Sequence, residues 1–326
     1  MQIKLLGRFG NKIMKAIVLG ASGYLGKAIV KALIKEGISV LALARKELSL
    51  NDFDIHENNK SQKELLSFYQ IDAEHILDLK NIEQISDFCK TKDVVFYNTI
   101  WKGASRLKDG SLSEQFKNVT YASNAVIIAA LLKCSKFVHV STQDEVLYDN
   151  FLKNWKTELW NTNDLGYASA KHTAKQMCLI QAYIHKIDFI NTRFSAAIDK
   201  SLKAPSFIAQ NLLKIRNNQD FVSPSNPSKI EINYLEDLAN AYVAIGKYGK
   251  NKADYYIGQG NLHTIKEYFD IAYALKNNNF STEKFKNSQK KSQSVVEKLF
   301  DNSSFIKDTN FSFKYNLVSM LKEIVE

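Results

Sequence analysis

The strongest constraint on this chain is a glycine triplet, Gly20-x-x-Gly23-x-x-Gly26, set between an apolar run and a helical pattern. Residues 15–20 read Lys-Ala-Ile-Val-Leu-Gly, a short buried strand that ends in glycine. Over 27–36 the apolar residues Ala28, Ile29, Ala32 and Leu33 recur at helical spacing, and Gly37 closes that helix. A second apolar strand follows over 39–44. Strand, glycine turn, helix and strand make a βαβ opening. A phosphate needs close backbone approach and unpaired N–H donors at a helix N-terminus. Gly20 permits the tight turn, Gly23 admits a pyrophosphate, and Gly26 lets the helix lie on the sheet. With Ser22, Tyr24 and Leu25 these glycines form the expected cofactor loop. A plain structural turn is the alternative, and the surrounding βαβ pattern argues against it.

The alternation continues. A third strand falls within 67–71 or 75–77, then a helix over 81–90 and a strand over 93–99. A long helix spans 113–133, a strand 136–141, a helix 167–185 and a strand 187–194. This rhythm predicts an α/β fold, a Rossmann-like doubly wound parallel sheet. From Ser195 the rhythm breaks. A helix over 206–216 opens at Pro205, and a polar loop lies around Pro224 and Pro227. A strand over 233–235, a helix over 236–245, a strand over 255–257 and a helix over 264–275 follow. A polar Lys/Asn/Ser-rich stretch then runs to about Ser294. The expected division is an N-terminal extension at 1–13 and a cofactor-binding domain at 14–194, to which 232–258 return. Residues 195–231 and 259–326 make a smaller C-terminal substrate-binding lobe. No internal repeat at a fixed period is present.

Composition narrows the class. The chain has 326 residues, 45% hydrophobic and 24% charged, which supports a sizeable core and excludes a wholly disordered chain. No run of about 18 apolar residues exists, so no membrane span is expected. Lys4, Arg8 and Lys12 interrupt the short apolar pieces of the N-terminus, so no signal peptide is expected. Cys89, Cys134 and Cys178 are an odd, scattered set, which points to a reducing cytoplasm. The histidines show no metal-ligand spacing, and no metal is predicted. His139 lies in a strand and reads as a satisfied core group; His172 should face away from the site. The net charge of +10 favours acidic partners such as phosphorylated small molecules, nucleic acid or anionic membrane. Its densest patch, 284–291, holds one aromatic, Phe285, and reads as a solvated surface rather than a nucleic-acid site.

Two further signals concern chemistry. Strand two ends in Leu43-Ala44-Arg45-Lys46. NAD-selective sites place an acid there for the ribose 2′-hydroxyl. A guanidinium instead pairs with a 2′-phosphate, which favours NADP(H). A solvated Arg-Lys pair is the alternative. The second signal is Tyr167-Ala168-Ser169-Ala170-Lys171. Positions i and i+4 share a helix face, and a cation beside a phenol lowers its pKa from near ~10, making proton exchange feasible at neutral pH. Ser141 and Thr142 stand at the end of the preceding strand. Trp101, after strand four, lines the substrate cleft or packs; the sequence leaves both open.

Together these motifs resemble the extended short-chain dehydrogenase/reductases, and within them the NAD(P)-dependent epimerase/dehydratase group acting on nucleotide sugars. The resemblance covers about residues 14–275. It rests on the glycine triplet, on Phe137-Val138-His139-Val140-Ser141-Thr142, and on Tyr167-x-x-x-Lys171. Asn118-Val119, Tyr234-Leu235-Glu236-Asp237-Leu238-Ala239 and Tyr256-Ile257-Gly258 add to it. The resemblance implies that Asp78 and Leu79 contact adenine, and that Thr142 or Ser141 hydrogen-bonds the reacting sugar oxygen. It further implies that Tyr167 passes the proton, and that Lys171 holds the nicotinamide ribose and depresses the Tyr167 pKa. A homodimer built on helices 113–133 and 167–185 is implied as well, as is a role in bacterial surface polysaccharides.

The departures from the group shape the expectation. Its dehydratases carry Thr-Asp-Glu at this strand end, whereas this chain reads Thr142-Gln143-Asp144-Glu145, one residue out of step. A bulge would restore Asp144 and Glu145 to the site; a loop or helix-cap pair is the alternative. Arg193-Phe194-Ser195-Ala196-Ala197 replaces the group's Asn-x-Tyr-Gly-Pro, and Ile230 replaces an arginine. The resulting expectation is a cytoplasmic NADP(H)-dependent reductase of a nucleotide-linked 4-keto sugar. A nucleotide-sugar 4-epimerase or 4,6-dehydratase is the first alternative. A non-catalytic NADP-sensing protein is the second, and an RNA-binding role for the Lys-rich segment the third.

Overall fold

The computed structural model describes residues 14–90, 93–102, 112–154, 162–204, 206–226, 228–281 and 297–326. The expected extension at 1–13, Pro205, Pro227 and the basic patch at 284–291 lie outside the described residues.

Seven strands form one sheet, every neighbouring pair of which is parallel. In chain order they are β1 (Lys15–Leu19), β2 (Ser39–Ala44), β3 (Leu66–Gln70), β4 (Val94–Asn98), β5 (Lys136–Val140), β6 (Asp188–Arg193) and β10 (Asp254–Tyr256). Their spatial order is β10-β6-β5-β4-β1-β2-β3, so the direction of winding reverses between β1 and β4. A doubly wound sheet opens its ligand crevice at that reversal, beyond the carboxyl ends of the strands.

The apolar runs of the strands follow from burial on both faces. Along β1, Ala16 and Val18 pack with Ile29, Val30 and Leu33 of α1 (Tyr24–Lys35) and with Leu238, Ala241 and Tyr242 of α8 (Leu235–Tyr248). The alternate residues Ile17 and Leu19 share a second cluster with α4 (Leu112–Leu131) and α6 (Thr162–His185), through Val126, Ala129, Ala174 and Cys178. Each fully buried Ile, Leu or Val contributes about 1.5–3 kcal/mol. The sheet is therefore clamped between helix pairs, and the loops at its carboxyl end rest on a stiff base. Short helices α2 (Lys60–Glu64) and α3 (Leu79–Ser86) flank β3. The helix expected over 81–90 starts two residues earlier and ends in a 3-10 turn at Asp87–Cys89.

The third cluster builds the lobe. It joins Ile198 of β7 (Ala196–Ile198), Leu212 of α7 (Phe207–Arg216) and Ile232 and Tyr234 of β9 (Ile232–Tyr234). Phe269 of α9 (Ile265–Lys276) and Leu321 of the last helix, Leu317–Val325, complete it. Small strands β8 (Lys229–Ile230) and β11 (His263–Thr264) pair antiparallel beside it. Helix α7 starts at Ser206, whose hydroxyl accepts from the Ala209 N–H at 3.1 Å. Helix α9 starts on a Thr264–Glu267 capping box. Phe305, in the helix Ser303–Thr309, packs in the first cluster against Tyr255 of β10 rather than in the lobe. The helix α5 (Asp144–Asn154) and the two C-terminal helices, Ser303–Thr309 and Leu317–Val325, are elements that the sequence pattern does not predict.

Candidate active site

The glycine turn lies at the reversal point. Gly20 has φ 90° and its N–H donates to Leu43 O at 2.9 Å. A Cβ there would stand 2.5 Å from Thr99 Oγ1, and a Cβ on Gly26 would fall on the Gly20 carbonyl. Gly23 is the N-cap of α1; no side chain caps this end and the first turn carries no acid. Its open N–H groups and partial positive charge suit an anion. A cavity of about 230 Å³ opens beside it, lined by Gly20, Ser22, Gly23 and Arg45 among others. Tyr24 turns the other way. It lines a separate cavity with Lys27 and Asp199, and burial and the Asp199 charge push its phenol up. Leu25 packs partly buried against the first core, and Gly26 is buried in α1.

Asp78 and Leu79 do not line the 230 Å³ cavity; Asp72 and Ala73 do. Strand β3 ends at Gln70, and the chain turns at once into a 3-10 segment, Ala73–His75. The acid beside the crevice is therefore Asp72. Asp78 instead precedes α3, 3.4 Å from His75 Nδ1, and Leu79 is 77% exposed.

At the other end of the crevice, β5 delivers Ser141 and Thr142, both buried. Ser141 N–H donates to Thr192 O at 2.8 Å, extending the β5–β6 ladder one step. Ser141 Oγ donates to Glu145 Oε2 at 2.7 Å, and Thr142 Oγ1 accepts from the Asp144 N–H at 3.3 Å. Tyr167 and Lys171 sit one turn apart on α6. The buried Lys171 ammonium lies 3.4 Å from Val140 O, 3.8 Å from the Trp101 ring centre and 5.9 Å from that of Tyr167. Trp101 meets Tyr167 edge-on at 5.9 Å and donates from Nε1 to Gln115 Oε1 at 2.9 Å. Asn118 holds that loop, accepting from Lys102 N at 2.8 Å and donating to Lys102 O at 2.9 Å. Trp101 also lines the cavity beside the glycine turn. The pairing of Tyr167, Lys171 and Trp101 joins the two ends of the site.

Beneath Ser141 lies a buried charge cluster that the sequence reading missed. Asn191 Nδ2 donates to Glu145 Oε1 at 2.6 Å, while Lys175 Nζ and Arg193 Nε stand 3.5 and 3.7 Å from the same oxygen. Asp254 takes Lys175 at 2.6 Å and Arg193 at 2.8 Å. Burial raises the Glu145 carboxyl, partly offset by Lys175. Burial also works to raise the Asp254 carboxyl, but Arg193 and Lys175 outweigh it and hold it below its usual value. Gln143 is turned inward as well: Nε2 donates to Leu299 O and Oε1 accepts from Arg193 Nη1 at 2.8 Å. Neither Gln143 nor Glu145 is therefore left in the crevice. The i+4 spacing of Lys171 and Lys175 was the one available signal, since it places a second cation on the same helix face.

His139 is wholly buried as expected, yet its Nε2 has no hydrogen-bond partner among the described residues. Burial, then Lys171 and Lys175, push it down to about 3. His172 turns to Tyr148 of α5, ring centres 5.8 Å apart. Among the described residues no group of three or more His, Cys, Asp or Glu could hold a metal, and no helix is long and apolar enough to cross a membrane.

Strand order, glycine turn and the Tyr167–Lys171 pair define an extended short-chain dehydrogenase/reductase built on a Rossmann-like sheet. The chain belongs to the NAD dependent epimerase/dehydratase family, whose model matches residues 16–258. It is similar to the CDP-abequose synthase of Salmonella muenchen, 24% identical over 264 residues, which is 79% of each chain. Among solved structures it resembles the UDP-glucose 4-epimerase of Thermotoga maritima with UDP-glucose, at TM-score 0.70 and 14% identity over 96% of this chain and 97% of that one. It also resembles the Bordetella bronchiseptica enzyme WbmF in complex with NAD+ and UDP, at TM-score 0.69 and 13% identity over 96% and 91%. The residues at the crevice fit a dinucleotide: the turn admits no Cβ at Gly20, and the helix end is bare of acids.

Proposed function

We propose that the protein is an NADP(H)-dependent reductase of a nucleotide-linked 4-keto sugar. NADPH supplies the hydride at the keto carbon. Thr142, beside Ser141 at the end of β5, donates to the keto oxygen, Tyr167 protonates it as charge develops, and Lys171 lowers the energy of the tyrosinate left behind. Arg45, at the rim of the glycine cavity, supports the 2′-phosphate form of the cofactor.

One observation carries the choice of reaction. A dehydratase needs an acid and a base beside the sugar; here Gln143 stands where the acid would be, Glu145 is turned into the protein, and of the acid pair Asp144-Glu145 only the half-buried Asp144 remains at this turn. Net reduction needs only the Tyr167 proton. The similarity to CDP-abequose synthase supports a CDP-linked sugar. A 4-epimerase is the second reading, favoured by the likeness to structures of that activity solved with NAD+ or UDP-sugars. The product would serve surface polysaccharides, and the working unit is a homodimer. Exposed Met177, Ile180, Tyr183 and Ile184 on α6 supply its apolar seam.

The test is NADPH oxidation with CDP- and UDP-linked 4-keto-6-deoxy sugars. Stoichiometric oxidation with formation of the 4-hydroxy product is expected. A copurifying cofactor that does not exchange, together with interconversion of two sugar epimers, would give the reaction to the epimerase.

A further inference from the structure

Glu145 is surrounded by donors. Ser141 Oγ stands 2.7 Å from Oε2; Asn191 Nδ2, Lys175 Nζ and Arg193 Nε stand 2.6, 3.5 and 3.7 Å from Oε1. Asn191 Nδ2, Lys175 Nζ and Arg193 Nε can only donate, and two of them carry positive charge, so the arrangement suits the carboxylate, to which Ser141 then gives its proton. Asp254 completes the cluster at 2.6 Å from Lys175 and 2.8 Å from Arg193, so two cations face two anions. The Glu145 side chain is fully inaccessible to solvent. Ordering it there needs a purpose beyond stability, because a buried ion cluster rarely outperforms apolar packing.

The purpose follows from where the hydroxyl protons go. A hydroxyl has one proton and two lone pairs. The Ser141 proton points at Glu145, away from any substrate, which leaves its oxygen as an acceptor. The neighbouring Thr142 hydroxyl is arranged in the opposite sense: its oxygen accepts from the Asp144 N–H at 3.3 Å, so its proton is the one a ligand oxygen can receive. The side chain that fixes the first hydroxyl and the N–H that fixes the second both come from the first turn of α5.

We propose that Glu145 is a positioning residue that divides labour between the two hydroxyls. By taking the Ser141 proton it makes Ser141 an acceptor for the product hydroxyl and leaves Thr142 as the donor to the carbonyl oxygen. The inference rests on the reading that both hydroxyls face the reacting oxygen. It separates Ser141 from Thr142, which sequence alone treats as interchangeable.

The test is a double-mutant cycle on the full-length protein with Glu145→Gln, Ser141→Ala and the double variant. Steady-state kcat and KM are measured for the conversion that the wild type catalyses, and NADPH binding by fluorescence. Glu145→Gln keeps the shape and lets the amide donate to Ser141, reversing its proton. Expected is a fall in kcat of roughly tenfold to hundredfold, the scale of a misoriented reacting group. KM and NADPH affinity stay within about twofold, and in the Ser141→Ala background the same change lowers kcat by less than about twofold. Equal losses in both backgrounds, or loss of NADPH binding together with kcat, overturn the assignment, because a merely structural cluster would act without Ser141. A wild type that epimerises without net reduction overturns the reductase reading alone, and the cycle is then read on epimerisation. A wild type inert towards every sugar nucleotide overturns the reading, and this inference with it.

Discussion

The Lys171 ammonium lies 3.8 Å from the centre of the Trp101 ring, while the same indole meets Tyr167 edge-on. Trp101 is in turn tied to α4 through Gln115, so the loop after β4 and the helix α6 are locked together at the site. A cation on an aromatic face is worth about 0.5–2 kcal/mol. Trp101→Leu keeps an apolar surface and removes that anchor, and kcat/KM for the proposed keto-sugar reduction should fall about 2- to 30-fold. Tyr167→Phe, which removes the proton itself, should cost at least about a hundredfold in kcat while NADPH still binds. A Trp101→Leu enzyme as active as wild type would reduce the indole to packing.

Arg45 stands exposed at the end of β2, with its backbone carbonyl held by Gln70 Nε2 at 3.0 Å and its side chain at the cavity rim. Charged hydrogen bonds of this kind contribute about 1.5–3 kcal/mol. Arg45→Ala should therefore weaken NADPH roughly 10- to 150-fold and leave NADH within about twofold. Titration by nicotinamide fluorescence reads both. NADH binding as tightly as NADPH to the wild type would sink the assignment.

The glycine turn yields a stability prediction independent of substrate. A methyl at Gly26 meets the backbone carbonyl of Gly20, which cannot step aside without opening the turn. Gly26→Ala should destabilise by about 1–3 kcal/mol, the usual cost of overpacking. Gly20→Ala should cost at least as much, because it adds strain at φ 90° to a clash with Thr99. Urea unfolding measures both. A Gly26→Ala protein with an unchanged midpoint would mean the helix shifts freely on the sheet.

Parts of the molecule are legible in the sequence and others are not. The β1–α1–β2 unit was readable because burial on both faces makes the strands continuously apolar and phosphate approach demands glycine. Tyr167 and Lys171 were readable because helical spacing fixes which residues share a face. The end of β3 was hard to place because two separate apolar stretches, 67–71 and 75–77, compete for the strand; the later one leads to Asp78, whereas β3 ends at Gln70 and brings Asp72 to the crevice. Helix α5 was missed because its first turn, Asp144-Glu145, resembles a displaced catalytic motif; only tertiary contacts with Asn191, Lys175 and Arg193 show which way Glu145 points. Such contacts join residues far apart in sequence and leave no local period.

His139 gives the chain an acid-sensitive core. Its ring is buried in β5, and its pKa falls from 6.5 to about 3 in the folded protein. The unfolded chain therefore takes up a proton at this site between those values while the folded one does not. By linkage the stability from the neutral ring is complete above pH 6.5 and is lost as pH falls towards 3. From pH 6.5 to 5 this amounts to about 2 kcal/mol. Urea unfolding at pH 7 and 5 should show that loss in the wild type and its absence in His139→Leu. Parallel losses in both proteins would place the acid sensitivity elsewhere.

The proposed dimer would close on an exposed apolar stretch of α6. Ile180, Tyr183 and Ile184 are 48%, 80% and 60% exposed on one stretch of a helix whose other face is core. Phe116 and Leu131 of α4, the helix packed beside it, are also exposed. A two-fold axis through this face would bury each residue twice, since an isologous contact repeats every pair. Ile180→Glu then places one carboxylate per subunit in a drying seam, a cost of several kcal/mol for each unpaired charge. The dimer should weaken by roughly a hundredfold or more. The folded subunit should be untouched, because Ile180 does not belong to its core. Sedimentation equilibrium should find a dimer of the 37.1 kDa chain at micromolar concentration for the wild type and a monomer for the variant, with equal thermal midpoints at concentrations where both are monomeric. A wild type that sediments as a monomer at every concentration would remove the seam and leave this apolar face to another partner.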